Sequence, residues 1–298
     1  MVRGRFAPSP SGRMHLGNAF SALLAWLSAK SRGGEIVLRV EDLDPARSRR
    51  EHTEAILDDL RWLGLEWDLR AEDQSKRGPA YAEALARLEG MGLIYPCYCS
   101  RDELHAASAP HASDGRVLYS GACRDLTPAQ RAARTKPPCL RLRVPDRTIS
   151  FTDGLQGPQA LSLSREWGDF IVRRADGVAA YQLAVVVDDA ANGVTEVVRG
   201  RDLLLSSPQQ IYVARLLGFP SPRFIHLSLL CNAAGQRLSK RDQSLDMESL
   251  RQRYTPQQLI GLLACLAGLK SYESPVSAQA LAADFSWDRV PRADISLV

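Results

Sequence analysis

The stretch Arg5 to Asn18, reading RFAPSPSGRMHLGN, constrains the fold more than any other part of the chain. Pro8 and Pro10 fix φ and push Ala7 and Ser9 toward extended backbone, so Arg5 to Ala7 should end a short strand before a sharp turn. Gly12 and Gly17 permit another body to approach the backbone closely. The residues that follow carry Phe20, Leu23, Leu24 and Leu27 at helical spacing, which predicts a helix opening near Asn18 and closed by Gly33 and Gly34. A strand end, a stiff turn and a helix mouth then meet at one point. The unpaired N–H groups and positive dipole end of that helix suit a polyphosphate, with His15 beside it.

The remaining pattern alternates in the α/β manner. Glu35 to Val40 has the continuous apolar character of a buried strand and delivers Glu41 and Asp42 past its C-terminal end, the edge where open parallel sheets bind ligands. Thr53 to Leu63 and Tyr81 to Met91 read as amphipathic helices. From Tyr95 to about Leu163 the texture shifts to Cys, Pro, Ser and Gly, which marks an inserted module with strands at Cys139 to Val144 and Thr148 to Thr152. Phe170 to Arg174 and Val178 to Leu183 flank Ala175-Asp176-Gly177 and predict a hairpin, and Ala184 to Val187 extends the apolar run to Asp188-Asp189. Val194 to Val198 is a strand delivering Arg199 and Gly200, and Pro208 to Leu217 is a helix with proline at its start. Met247 to Arg253 and Gln257 to Leu269 are helices, and Trp287 anchors the tail.

Composition narrows the setting. A chain of 298 residues, 45% of them hydrophobic, can bury one large or two moderate cores. Its longest apolar run, Leu259 to Leu269, falls short of the roughly 20 residues that a spanning helix needs, and no signal-peptide pattern opens the chain, so a cytoplasmic protein is expected. A net charge of +4 is compatible with nucleic-acid binding without demanding it. In a reducing compartment the six cysteines do not imply disulfides.

Three constellations carry chemistry. Cys97, Cys99 and Cys123 supply soft thiolates that favour zinc in a closed, structural site, with His105, His111 or Tyr119 as fourth ligand. Arg5, Glu41 and Arg199 each sit at or past a strand end, and one acid with two guanidiniums can grip a zwitterion bearing a second carboxylate. Ser239-Lys240 follows a hairpin, where a lysine can act as a point charge on phosphate.

With His15-Leu16-Gly17-Asn18 near the start and Arg237-Leu238-Ser239-Lys240-Arg241 far downstream, the chain resembles the class I aminoacyl-tRNA synthetases, whose HIGH and KMSKS motifs hold ATP. RFAPSPSG, the RVEDLD of Arg39 to Asp44, the WGDF of Trp167 to Phe170 and the VVRGRDL of Val197 to Leu203 resemble the glutamyl branch. Asn18 stands where HIGH has its second histidine, and Arg237 and Arg241 replace the outer residues of KMSKS. With only 57 residues after Arg241, the chain is similar to the truncated glutamyl-Q tRNA(Asp) synthetase family, which lacks an anticodon-binding domain.

The resemblance implies a Rossmann-type doubly wound parallel sheet, interrupted by a zinc-containing α+β module. Its halves would be residues 1–94 and 164–241, the module 95–163, and a helical region 242–298. It implies tRNA-independent activation of L-glutamate by ATP with magnesium, then transfer to queuosine in tRNA(Asp). Arg5, Phe6, Ala7, Pro8, Ser9, Glu41, Tyr181 and Arg199 would bind glutamate. ATP would lie on His15, Gly17, Asn18, Ser239 and Lys240, with His15 and Lys240 catalytic. Zinc would be held by Cys97, Cys99, Tyr119 and Cys123. Arginines 131, 134, 141, 143, 147, 173 and 174 are, apart from the resemblance, candidates for phosphate contact, with ordinary charged surface as the other reading. Charging of a tRNA 3′ end without an anticodon domain, or non-catalytic binding of RNA or nucleotide, are the alternative readings.

Overall fold

A computed structural model describes residues 1–100, 118–232 and 245–297. Strand β1 (Arg3–Phe6) and strand β2 (Glu35–Leu38) pair in parallel, with Arg5 opposite Val37, and β3 (Leu69–Arg70) extends the sheet beyond β2. On the other side of β1 lies β9 (Glu196–Gly200), itself parallel to β10 (Arg223–Leu227). The Thr195 N–H donates to the Arg3 carbonyl at 2.9 Å and the Arg3 N–H to the Thr195 hydroxyl at 2.9 Å, which ties the two pairs together. From β1 the connection runs one way to β2 and later the other way to β9, so the carboxyl ends of β1 and β9 flank a switch point, where such sheets open a crevice.

Neighbouring residues on these strands serve different cores. Val198 and Ile225 face one cluster with α1 (Leu16–Lys30), α2 (Arg50–Trp62) and α7 (Pro256–Leu266). Val197 and Phe224 face a second, with α3 (Gly78–Gly90), α4 (Tyr181–Ala191) and α5 (Ser207–Leu217). That alternation puts helices on both sheet faces, the doubly wound arrangement. Trp287 packs on the first cluster and donates its indole N–H to Ser28 Oγ at 3.0 Å.

Between the halves, β4 (Ile94–Cys97), β5 (Cys139–Leu142) and β8 (Phe170–Arg173) form an antiparallel sheet, and β6 (Thr148–Asp153) with β7 (Gly157–Ser162) form a hairpin. The Gly154 N–H donates to the Phe224 carbonyl at 2.8 Å and brings the end of β6 against β10. Further on, β11 (Leu230–Cys231) pairs with β12 (Ile295–Ser296), and α6 (Met247–Arg253) precedes α7.

One expectation is overturned. Val178 to Val187 is not strand: after a single bridge from Arg173 to Ala179 the chain enters α4. Residues 183–187 are buried in one continuous run, so no polar face betrays a helical period, and a short apolar run fits either structure.

The β1–α1–β2 unit closes tightly at Gly34, where an added Cβ would stand 2.4 Å from the Val2 carbonyl oxygen. Gly34→Ala should lower the unfolding free energy by about 1–3 kcal/mol through overpacking, as measured by urea denaturation.

Candidate active site

At the switch point a cavity of about 550 Å³ opens. Every described residue assigned above to glutamate or ATP lines it: Arg5, Phe6, Ala7, Pro8, Ser9, His15, Gly17, Asn18, Glu41, Tyr181 and Arg199. Ser239 and Lys240 lie outside the described residues, as do His105 and His111. The flanks of the segment bearing Ser239 and Lys240 do reach the site: Leu230 lines the cavity, and Asp246 bridges to His15.

His15 caps α1. Its Nδ1 accepts the Gly17 N–H at 3.1 Å and its own N–H donates to Asn18 Oδ1 at 3.1 Å, a reciprocal capping box. With Nδ1 accepting, the ring donates through Nε2. A Cβ on Gly17 would stand 3.1 Å from the imidazole, so a larger residue would require the ring to give by a few tenths of an ångström.

The other wall is a buried charge network. Arg39, fully buried, donates to Glu41 Oε1 at 2.9 Å and to Asp189 Oδ1 at 2.6 Å, and lies 3.8 Å from Asp188. Burial works against its charge, but Asp189, Glu41 and Asp188 outweigh that and raise its pKa. Asp188 also accepts from Arg77 at 2.6 Å, Gln74 at 2.7 Å and Tyr81 at 2.8 Å. Arg5 Nε lies 3.5 Å from Asp189 Oδ1. Burial raises the pKa of Glu41, with Arg39 and Arg5 pulling the other way.

Arg199 differs from these. It donates to Tyr181 Oη at 3.3 Å, Ser207 Oγ at 2.8 Å, the Leu203 carbonyl at 3.3 Å and His226 Nε2 at 3.0 Å, all neutral acceptors. Among the described residues no carboxylate is in ion-pair contact with it. Arg5, Arg39 and Arg77 each stand against carboxylates, drawn from Glu41, Glu72, Asp188 and Asp189, whereas Arg199 is held by neutral acceptors. A buried guanidinium without a counter-charge suits an anionic group of a ligand, and Glu41 in the same cavity suits an ammonium. Arg39, Asp188, Asp189 and His226 were not among the residues singled out as the site; the paired acids ending an apolar run were the available signal.

The sulfurs of Cys97, Cys99 and Cys123 all lie within 4.8 Å of one another, and Cys99 and Cys123 are 3.6 Å apart. Thiolates on a tetrahedral zinc stand about 3.8 Å apart, so the spacing fits a metal ion. Tyr119 Oη lies 3.5 Å from Cys97 Sγ and accepts the Cys123 N–H at 2.8 Å, in line to be a fourth donor. Arg141, expected on phosphate, is buried: its guanidinium lies 3.7 Å from the Tyr119 ring centre and donates to the Asp169 carbonyl at 2.6 Å. Arg134, Arg147 and Arg174 are exposed.

Residues 1–291 match the family described as tRNA synthetases class I (E and Q), catalytic domain. The glutamyl-Q tRNA(Asp) synthetase of Symbiobacterium thermophilum is 49% identical over 312 residues, covering 100% of this chain and 96% of its own. That of Nitratidesulfovibrio vulgaris is 49% identical over 282 residues, covering 90% and 87%. Among solved structures, the glutamate-tRNA synthetase from Elizabethkingia anophelis aligns at a TM-score of 0.85 and 26% identity, covering 100% of this chain and 68% of its own. The glutamate tRNA ligase from Elizabethkingia meningosepticum, in complex with its amino acid, gives 0.84 and 26%, with 99% and 66% covered. No helix among the described residues is long and apolar enough to cross a membrane.

The Glu41 shift has a measurable sign. Because its folded pKa lies above the unfolded one, wild type loses stability as pH rises through the folded value, and a glutamine there does not. The stability of Glu41→Gln relative to wild type should therefore increase between pH 4 and pH 8, followed by urea denaturation at each pH.

Proposed function

The chain belongs to the class I tRNA synthetases of the E and Q type, and from that premise we propose that it activates L-glutamate with ATP, without tRNA, and transfers it to queuosine in tRNA(Asp). The observation that carries this reading is the single cavity in which Arg5, Glu41, Tyr181 and Arg199 face the His15 helix mouth. Glu41 takes the α-ammonium, and Arg199 with Tyr181 takes the side-chain carboxylate. Arg5, with the Phe6-to-Ser9 turn, shapes the rest of the pocket.

An α-carboxylate oxygen attacks the α-phosphorus of ATP in line, the bond to the bridging oxygen breaks, and pyrophosphate leaves. Such a step needs alignment and charge neutralisation more than proton transfer. The Nε2 donor of His15 and the mouth of α1, with Gly17 and Asn18, hold the phosphates. Ser239 and Lys240 belong to the same site in this reading, since the described flanks of their segment border it. Magnesium arriving with ATP would supply further charge neutralisation. A queuosine hydroxyl then attacks the acyl carbon and AMP leaves. Domain roles follow the same scheme: residues 1–94 and 164–241 form the catalytic halves, 95–163 the module and 242–298 the helical region that closes the body, all acting in the cytoplasm.

Cys97, Cys99, Cys123 and Tyr119 are proposed to hold one structural zinc, three soft thiolates and a phenolic oxygen. Purified protein should contain one zinc per chain by atomic emission, and Cys123→Ser should lose it and melt at lower temperature.

Incubation with ATP, magnesium, labelled glutamate and queuosine-containing tRNA should label the anticodon of tRNA(Asp), and queuosine-free tRNA should stay unlabelled. Label at a tRNA 3′ end would make the chain a charging enzyme instead. Arg199→Ala should abolish glutamate-dependent pyrophosphate exchange, because among the described residues it is the cavity guanidinium held only by neutral partners and so the one left to meet the ligand's second carboxylate. Lys240→Ala should lower kcat far more than it raises KM for glutamate, since its partner charge grows in the transition state.

A further inference from the structure

Behind Arg199 the chain builds a buried relay that does not touch the cavity. His226, the fourth residue of β10, is 0% exposed, and Asp153, the last residue of β6, is 2% exposed. His226 Nδ1 is 2.6 Å from Asp153 Oδ2, and Nε2 accepts from Arg199 Nε at 3.0 Å. The other carboxylate oxygen, Oδ1, accepts the backbone N–H groups of Leu155, Gln156 and His226 at 3.0, 2.9 and 3.1 Å.

Donor and acceptor roles follow without a visible hydrogen. A guanidinium Nε–H can only donate, so Nε2 presents its lone pair, and the ring proton of a neutral imidazole sits on Nδ1, donated to Asp153. Ser207 agrees, because its hydroxyl accepts from Arg199 Nη2 at 2.8 Å and lies 3.3 Å from Nε2 with its own proton to give. We propose that His226 is a positioning residue for glutamate recognition: Asp153 locks its tautomer, and the resulting Nε2 acceptor orients Arg199 toward the ligand without neutralising it. A carboxylate in the place of His226 would hold the guanidinium as well but cancel the charge that the ligand has to meet. An amide ligand would leave the buried Arg199 without a counter-charge, so the neutral relay is what makes the pocket select an acid.

The inference rests on the reading of the cavity as the glutamate site. Asp153→Asn tests it with a change of one atom. The three backbone donors hold the amide oxygen at the Oδ1 position, so the amide –NH₂ faces Nδ1. The ring must then accept there, carry its proton on Nε2, and oppose the Arg199 Nε–H.

The groups facing His226 are Asp153, Arg199 and Asp202, with the Phe224 ring stacked at 6.0 Å. Burial and the Arg199 charge hold its pKa below the usual histidine value, against the pull of Asp153 and Asp202. Protonation would place a hydrogen on Nε2, so kcat/KM for glutamate should fall on the acid side of that value.

The experiment is pyrophosphate exchange by the full chain with glutamate and with glutamine, from pH 5 to pH 8. Asp153→Asn should raise KM for glutamate by about tenfold or more, with KM for ATP unchanged and kcat within about threefold. Its preference for glutamate over glutamine should narrow, and the acid limb should vanish. His226→Gln, which keeps an acceptor, should stay nearer wild type than His226→Phe, and this pair carries the test should Asp153→Asn fail to fold by thermal melting. An unchanged KM for glutamate in folded Asp153→Asn, or equal values for the Gln and Phe variants, overturns this inference alone. Absence of glutamate-dependent exchange in wild type overturns the reading of the cavity, and this inference with it.

Discussion

The buried guanidinium of Arg39 is the constraint on which the rest of the site depends. It follows β2 directly and reaches Glu41 on its own segment and Asp188 and Asp189 on α4, so one side chain joins a strand end to a helix from the other half of the chain. Three carboxylates crowded beneath a ligand pocket would repel one another and give up their charge by taking protons. With Arg39 among them, Asp189 can stand beside Arg5 and Glu41 can face the cavity as an anion. A buried ion cluster of this kind contributes little net stability compared with apolar packing, and its worth here lies in fixing where charges stand.

Two arginines of the same pocket are consequently treated in opposite ways. Arg5 has a carboxylate 3.5 Å away, whereas Arg199 is surrounded by hydroxyls, a carbonyl and an imidazole. Burial together with the charge of Arg5 pulls the Arg199 pKa down, although Tyr181 and Asp189 oppose that. A cation kept short of counter-charge is a poor structural element and a good receptor for an anion. The β6–β7 hairpin, which contributes no residue to the cavity wall, reaches Arg199 through Asp153 on His226 and through Phe151 and Gly154 on Phe224, whose ring lies against the guanidinium.

Much of this was legible in the sequence because the site is made of strand ends. Glu41 and Arg199 each follow an apolar run, Arg5 opens the proline-stiffened stretch, and His15 precedes a helix with clear spacing, so position in the pattern singled them out. What could not be read was partnership. Asp189 looked like the end of a strand because α4 is buried along 183–187 and shows no amphipathic period, and nothing in the residues around His226 marked it out. Arg141 illustrates the opposite error: it shares a stretch with Arg143 and Arg147, but it stands between Leu140 and Leu142 on β5 with the side chain turned inward over Tyr119. Spacing reveals which residues share an element; only the three-dimensional register of β6 against β10 reveals that Asp153 and His226 meet.

The bonds that join Arg3 to Thr195 connect residues 192 positions apart. At a synthesis rate of roughly 5–20 residues per second, β1 leaves the ribosome about 10–40 s before the strand that covers its second edge. During that interval β1 can pair with β2 and shelter under α1, but the side of it that will border β9 stays open, and no ligand cavity exists. The first strand made thus keeps an open edge until β9 has been made, so binding competence arrives late rather than growing with the chain.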